Sequence, residues 1–281
     1  MGKIQEALTR AKAAEPVPKP VLRRSTDAAA NGSSAKGPNR DQNLNVPRLA
    51  EHATLLPLDP EALEANRVVL GSQPAGPATS YKMLRTRMLH RIGANNWTSV
   101  AITSARTGAG KSLTAVNTAI SLAQEPNQQV ILVDLDLRRP SIAGVLDIQH
   151  KVGIVDYLQG KVPIEKVVVR TPVDRLLILP NHVSVENSSE MLTSSKMIEL
   201  VKTVTHPSNS SIVLFDLPPL LETDDFLAFS PHVDAVMLIV AEGETKQTDL
   251  HRSAELISNL DILGIILNKS RGDEYPAGYY P

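Results

Sequence analysis

The chain has 281 residues, of which 42% are hydrophobic, enough to bury a substantial core. A net charge of -1 and a pI near 6.7 leave no global field that would hold nucleic acid or an anionic lipid surface. Cysteine is absent, which excludes disulfides and thiolate chemistry, and apolar runs such as "AVMLIVA" at 235–241 are strand-sized rather than membrane-spanning, so a soluble cytoplasmic protein is expected.

In chain order, Ile4, Leu8 and Ala11 fall on one face of a short amphipathic helix over 1–14, with Lys3, Glu6, Arg10 and Lys12 distributed around it. Such a helix is either a docking element or a frayed end without a partner. Residues 15–75 open with "PVPKPVLRRSTDAAANGSSAKGPNRDQNLNVPRL", rich in Pro, Ser, Asn and Gly with little periodicity, and are expected to form a disordered tether. From residue 76 to 270 apolar, β-branched runs alternate with helical periods, which predicts a single α/β domain with a mostly parallel sheet flanked by helices. The strands are expected at 97–105, 129–137, 211–217, 234–242 and 262–269. Helices are expected near 79–92, 111–124, 189–204 and 245–260. The end, 271–281, reads "RGDEYPAGYYP", a flexible tail holding three of the 5 tyrosines in a chain that is only 3% aromatic.

The strongest chemical signal is "SARTGAGKSLTA" at 104–115. Gly108 and Gly110 let backbone N–H groups turn inward around a phosphate, Lys111 can neutralise its charge, and Ser112 can ligate Mg²⁺ at a helix N-terminus. The pattern deviates from the common phosphate loop in having Ala105 where Gly is usual. "VILVDLDLRRP" adds Asp134 and Asp136, two residues apart and so on one side of a strand, at the edge where open α/β sheets bind ligands. The bland alternative is that they begin a turn closed by Arg138 and Pro140. "IVLFDLPP" sets Asp216 at the end of another apolar strand, the place of a carboxylate that organises a metal's water shell. Asp224 and Asp225 in "LETDD" read as a helix N-cap, Tyr157 as a packing aromatic, and His90, His150, His182 and His232 lack metal-ligand spacing.

A deviant phosphate loop, a D-x-D-x-R-x-P strand and a D-x-P-P strand together resemble the bacterial tyrosine kinases of capsule and exopolysaccharide synthesis, a branch of the partition and septum-positioning P-loop ATPases. "VGIVDYLQGK", "NSSEMLTSSKM" and "GIILNKS" also resemble segments of that family, and "MGKIQEALTRA" the start of its stand-alone cytoplasmic autokinases. The resemblance implies ATP and Mg²⁺ as cofactors. Arg106, Thr107, Gly108, Ala109, Gly110, Lys111, Ser112 and Leu113 would hold the phosphates, with Asn268 at the adenine. It implies Lys111 polarising the γ-phosphate, Ser112, Asp136 and Asp216 organising the metal, and Asp134 as base or orienting group, an exchange of roles between Asp134 and Asp136 remaining open.

Tyr275, Tyr279 and Tyr280 would be the phosphoacceptors, presented to a neighbouring subunit of a homo-oligomer. A separate membrane adaptor of the polysaccharide co-polymerase type would hold the kinase at the inner face of the membrane. The chain departs from the family at Thr107, where Pro is usual, at Leu217, where Thr is usual, and in the oligomerisation helix, where Thr79 and Lys82 replace charged partners and Arg85 is retained. Arg106 stands where partition ATPases carry a signature lysine and is expected as a solvent-facing loop residue. The alternative function is a partition-type ATPase switch that dimerises on ATP and recruits a partner without kinase activity.

Overall fold

The structure is a computed structural model that describes residues 46–71, 76–205 and 211–270. The expected helix at 1–14 and the tyrosines at 275, 279 and 280 lie outside the described residues. Eight strands form one sheet in the order β1-β4-β5-β3-β6-β2-β7-β8. They are β1 (Thr54–Leu55), β2 (Ser99–Ser104), β3 (Gln129–Asp134), β4 (Val169–Arg170), β5 (Leu176–Leu179), β6 (Ser211–Asp216), β7 (Ala235–Ala241) and β8 (Ile262–Asn268). Every neighbouring pair is parallel except β4 with β5. Strands β2 and β6 are buried at every position, as parallel strands covered on both faces must be, which is why they read as unbroken apolar runs rather than alternating ones.

One face of the sheet packs Val133, Val213, Phe215 and Leu238 against a cluster that includes Met197, Leu200, Phe226 and Phe229. The other packs Ile102, Leu132, Leu214 and Met237 against Ile92, Ala115, Ala119 and Leu122. Phe215 meets Phe229 edge-on at 4.9 Å between centroids, a pairing worth about 0.5–1.5 kcal/mol beyond the area it buries.

The tether expectation over 15–75 is corrected for its second half. Residues 46–71 are built into the domain: α1 (Val46–His52) and α2 (Pro60–Ala65) flank β1, which adds to the sheet edge beside β4. Val46, Leu49 and Ala53 recur at helical spacing and are buried in one cluster, and Leu63 and Val68 are buried in the other. Asp59 caps α2 by accepting from the Glu61 N–H, with Pro60 at the first helical position. Pro47 and Pro60 lie in the first turns of these helices and do not mark disorder.

Elsewhere the differences are local. The expected helix at 189–204 is two, α7 (Ser188–Leu192) and α8 (Ser195–Val204), because Ser194 leaves helical backbone and caps the second through the Met197 N–H. The expected strand at 129–137 stops at Asp134; Leu135 still donates to the Asp216 carbonyl, and Arg139 folds back onto the Asp136 carboxylate. Asp136 therefore sits on a loop beside the strand end. The short strands β4 and β5 were not expected. The helices at 79–92, 111–124 and 245–260 correspond to α3 (Pro77–Asn95), α4 (Lys111–Ala123) and α10 (Gln247–Leu256); two short helices, α5 (Ile142–Val145) and α6 (Ile154–Leu158), follow β3, and α9 (Asp225–Phe229) follows β6.

Candidate active site

Strands β3, β6 and β2 lie side by side, so Asp134, Asp216 and the loop leaving Ser104 emerge together at the C-terminal edge of the sheet. The loop runs from Ala105 to Gly110 and opens α4. Gly110 has φ +83°, a left-handed conformation that costs other residues strain, and a Cβ there would lie 2.3 Å from the Asn268 amide nitrogen. Only glycine fits. Gly108 is also left-handed, at φ +90°, and α4 starts without a side-chain cap, so its first N–H groups are left for a ligand at the positive end of the helix dipole.

Inside this cradle Lys111 Nζ lies 2.7 Å from Asp136 Oδ2, 3.4 Å from Asp216 Oδ1 and 3.2 Å from Ser112 Oγ. Ser112 Oγ donates to Asp216 Oδ2 at 2.5 Å. Burial alone would favour neutral Lys111, but the carboxylates of Asp216 and Asp136 more than offset it and its pKa is raised, so it stays an ammonium. Burial raises the Asp216 pKa against the opposing pull of Lys111 and Ser112.

Asp134 is fully buried at the register position facing Asp216, and burial followed by that neighbouring charge pushes its pKa well up. Its Oδ2 accepts from the Ser141 and Ile142 N–H groups at 3.0 Å each, holding the start of α5, while its Oδ1 is buried with no partner. An orphaned carboxylate oxygen in a dry site costs stability.

The same set fits a nucleotide's phosphates and a divalent ion. No group of three or more His, Cys, Asp or Glu side chains among the described residues forms a ready-made metal cage.

Around the cradle the other predicted residues divide. Asn268, at the end of β8, donates to the Ala109 carbonyl at 2.8 Å and so touches the loop itself. Leu113 is half-buried and packs into the core behind the loop. Arg106 is an exposed loop residue, as expected, and its guanidinium also forks onto Asp249 of α10 at 2.7 and 3.1 Å. The Thr107 N–H and hydroxyl both donate to Glu222, at 2.7 Å each.

Asp224 stands at the N-cap of α9, as expected, without a side-chain bond, and Asp225 opens the helix fully buried, accepting from Ser188 Oγ and, at 3.3 Å, from Arg138 Nε. Tyr157 is buried as a packing aromatic, and burial pushes its hydroxyl pKa up to about 12. Arg85 is paired within the chain, to Glu125 at 2.8 Å. Glu222 and Asp249 were missed; "LETDD" held the first, but nothing in the spacing ties it to a loop more than a hundred residues earlier.

A phosphate loop joining a parallel strand to a helix, with acids on the two neighbouring strand ends, defines a P-loop NTPase, a nucleotide-binding fold. The family model that matches is ParA, described as the NUBPL iron-transfer P-loop NTPase, over residues 96–273. The chain is 29% identical over 223 residues to the tyrosine-protein kinase YwqD of Bacillus subtilis, covering 78% of this chain and 92% of that one. It is 30% identical over 176 residues to the tyrosine-protein kinase CpsD of Streptococcus agalactiae, covering 60% and 74% respectively. Among solved structures, the kinase domain of VpsO superposes with a TM-score of 0.59 at 29% identity, covering 67% of this chain and 93% of that domain. The chain belongs to the ParA family of P-loop NTPases and, within it, to the bacterial tyrosine-protein kinases.

Proposed function

We propose that the protein is an ATP- and Mg²⁺-dependent protein-tyrosine autokinase that acts in exopolysaccharide synthesis or export. The observation that carries this reading is Lys111 held between Asp136 and Asp216 with Ser112 on the same carboxylate, at the mouth of the phosphate loop. Its resemblance to named tyrosine-protein kinases supplies the acceptor class.

In the reaction the acceptor tyrosine oxygen forms a bond to the γ-phosphorus as the bond to the β,γ-bridging oxygen breaks, leaving ADP and phosphotyrosine. Ser112, Asp136 and Asp216 would hold Mg²⁺, which would supply neutralisation of the charge on the transferring group. Lys111 leaves its carboxylates for the β- and γ-phosphates, and the N–H groups from Gly108 to Ser112 fix the phosphate chain. Asp134 takes or orients the tyrosine proton, a useful task because the hydroxyl's ordinary pKa near 10 keeps it protonated at neutral pH. Positioning and charge neutralisation supply most of the rate in such transfers.

The acceptors are Tyr275, Tyr279 and Tyr280 of a neighbouring subunit, each gaining about -1.5 to -2 charge on phosphorylation. A separate membrane adaptor holds the kinase at the inner face of the membrane; no helix among the described residues is long and apolar enough to cross one. The fork of Arg106 on Asp249 of its own chain weighs against the partition-type switch, in which that residue would reach across a dimer.

The test is incubation with Mg²⁺ and γ-labelled ATP beside a membrane activator, followed by peptide mapping. Label on the tail tyrosines is expected. Label released only as free phosphate would replace the kinase reading with the switch.

A further inference from the structure

Outside the cradle a second polar contact spans the mouth of the site. Glu222, on the loop after β6, accepts from the backbone N–H and the hydroxyl of Thr107. Arg139, three residues beyond Asp136, extends its guanidinium over the same point, with Nη1 2.8 Å from Thr107 Oγ1 and 3.4 Å from Glu222 Oε2. These two residues come from different loops and meet only at the phosphate loop.

The anchoring is unequal. The loop of Glu222 is stitched to β2, since Leu220 and Leu221 donate to the carbonyls of Ser104 and Ala105, so Glu222 is fixed in place. Arg139 is held by its backbone, whose N–H donates to Asp136 Oδ1 at 3.0 Å, while its side chain is 68% exposed. A cation rooted one short turn from a predicted metal-organising acid, with an exposed head resting on the phosphate loop, is placed to meet a bound phosphate. An exposed ion pair such as Arg139 with Glu222 is weak, and a polyphosphate offers a guanidinium more charge and a planar, two-oxygen fit.

We propose that Arg139 is a further phosphate-binding residue that turns from Glu222 onto the terminal phosphate of a bound nucleoside triphosphate, and that Glu222 is a positioning residue which parks it in the absence of ligand. The proposal rests on the reading that the loop binds ATP. It makes the site discriminate triphosphate from diphosphate, because only the former presents the group that Arg139 takes. Glu222 opposes that transfer and so sets the affinity through Arg139.

The test is equilibrium binding to the full chain, displacing fluorescent mant-ADP with the non-hydrolysable imido analogue of ATP or with ADP in the presence of Mg²⁺, so that no turnover is needed. Arg139→Ala, at an exposed position, is expected to keep the wild-type melting temperature and to weaken the triphosphate analogue roughly three- to tenfold while changing ADP little. Arg139→Lys should restore part of the loss.

Glu222→Gln keeps an oxygen for the Thr107 N–H but drops the charge that holds Arg139, so it should tighten the analogue two- to threefold, at an order-of-magnitude level. In the double variant Arg139→Ala, Glu222→Gln that gain should vanish. An equal effect of Arg139→Ala on both nucleotides, or none, would overturn the role of Arg139. Persistence of the gain in the double variant would overturn its coupling to Glu222. If the wild type binds neither nucleotide, the nucleotide reading itself fails and this inference with it.

Discussion

Replacing Asp134 by Asn should stabilise the protein and disable it. Asp134 is fully buried, faces Asp216 in register, and leaves Oδ1 without a partner. An amide keeps an oxygen to accept from Ser141 and Ile142, so the start of α5 stays in place. What is removed is the penalty of holding a carboxyl group in a dry site beside a second acid.

Leaving such a group unsatisfied costs about 1–3 kcal/mol, and part of that returns because the new NH₂ is itself unpartnered, so a gain of about 1–2 kcal/mol is expected. In a domain of about 150–250 residues each kcal/mol moves the melting temperature by about 2–4 °C, so Asp134→Asn should melt about 2–8 °C higher in thermal unfolding without nucleotide. Autophosphorylation should meanwhile fall about 10²-fold or more, the scale of a lost proton-handling group. Gain in stability with loss of activity marks a residue kept for function. A variant that melts lower than wild type would refute the reasoning, because it would make Asp134 a structural bond to α5 and nothing more.

Gly110→Ala must take a left-handed backbone and displace Asn268, and should lose about 2–3 kcal/mol in chemical denaturation together with nucleotide binding. Leu49→Ala should cost about 2–5 kcal/mol, since Leu49 is 1% exposed; an unchanged denaturation midpoint would return residues 46–71 to the tether. For Glu222, burial pushes the pKa up but the Thr107 N–H and hydroxyl outweigh it, leaving the pKa lowered. A carboxylate with a depressed folded pKa contributes stability above its unfolded value, about 4.3, that is lost as pH falls through the folded one. The melting difference between wild type and Glu222→Gln should therefore be present at neutral pH and close below about pH 4.

The central strands and the phosphate cradle were legible because their signals are local. A β-branched run buried on both faces reads as a parallel strand, and "TGAGKS" between such a run and a helical period can do little but bind phosphate. Asp216 was legible for the same reason, lying at the end of an apolar run that two prolines stop.

What could not be read is what depends on contacts between distant segments. Arg106 is exposed as expected, but its pairing with Asp249, 143 residues away, could not be read. Asp224 and Asp225 were read as a helix start and stand at one, but the burial of Asp225 against Ser188 and Arg138 could not be read. Residues 46–71 were misread on composition: proline and asparagine outweighed the spacing of Val46, Leu49 and Ala53 and the Asp-Pro-Glu start of the second helix, though both were present.

Intact mass spectrometry of the full chain, before and after incubation with Mg²⁺ and ATP beside a membrane activator, is the most direct test of the kinase reading. Wild type should gain the mass of one to three phosphoryl groups, and Lys111→Met, which removes the cation between Asp136 and Asp216, should gain none. A wild type that consumes ATP yet keeps its mass would contradict the account.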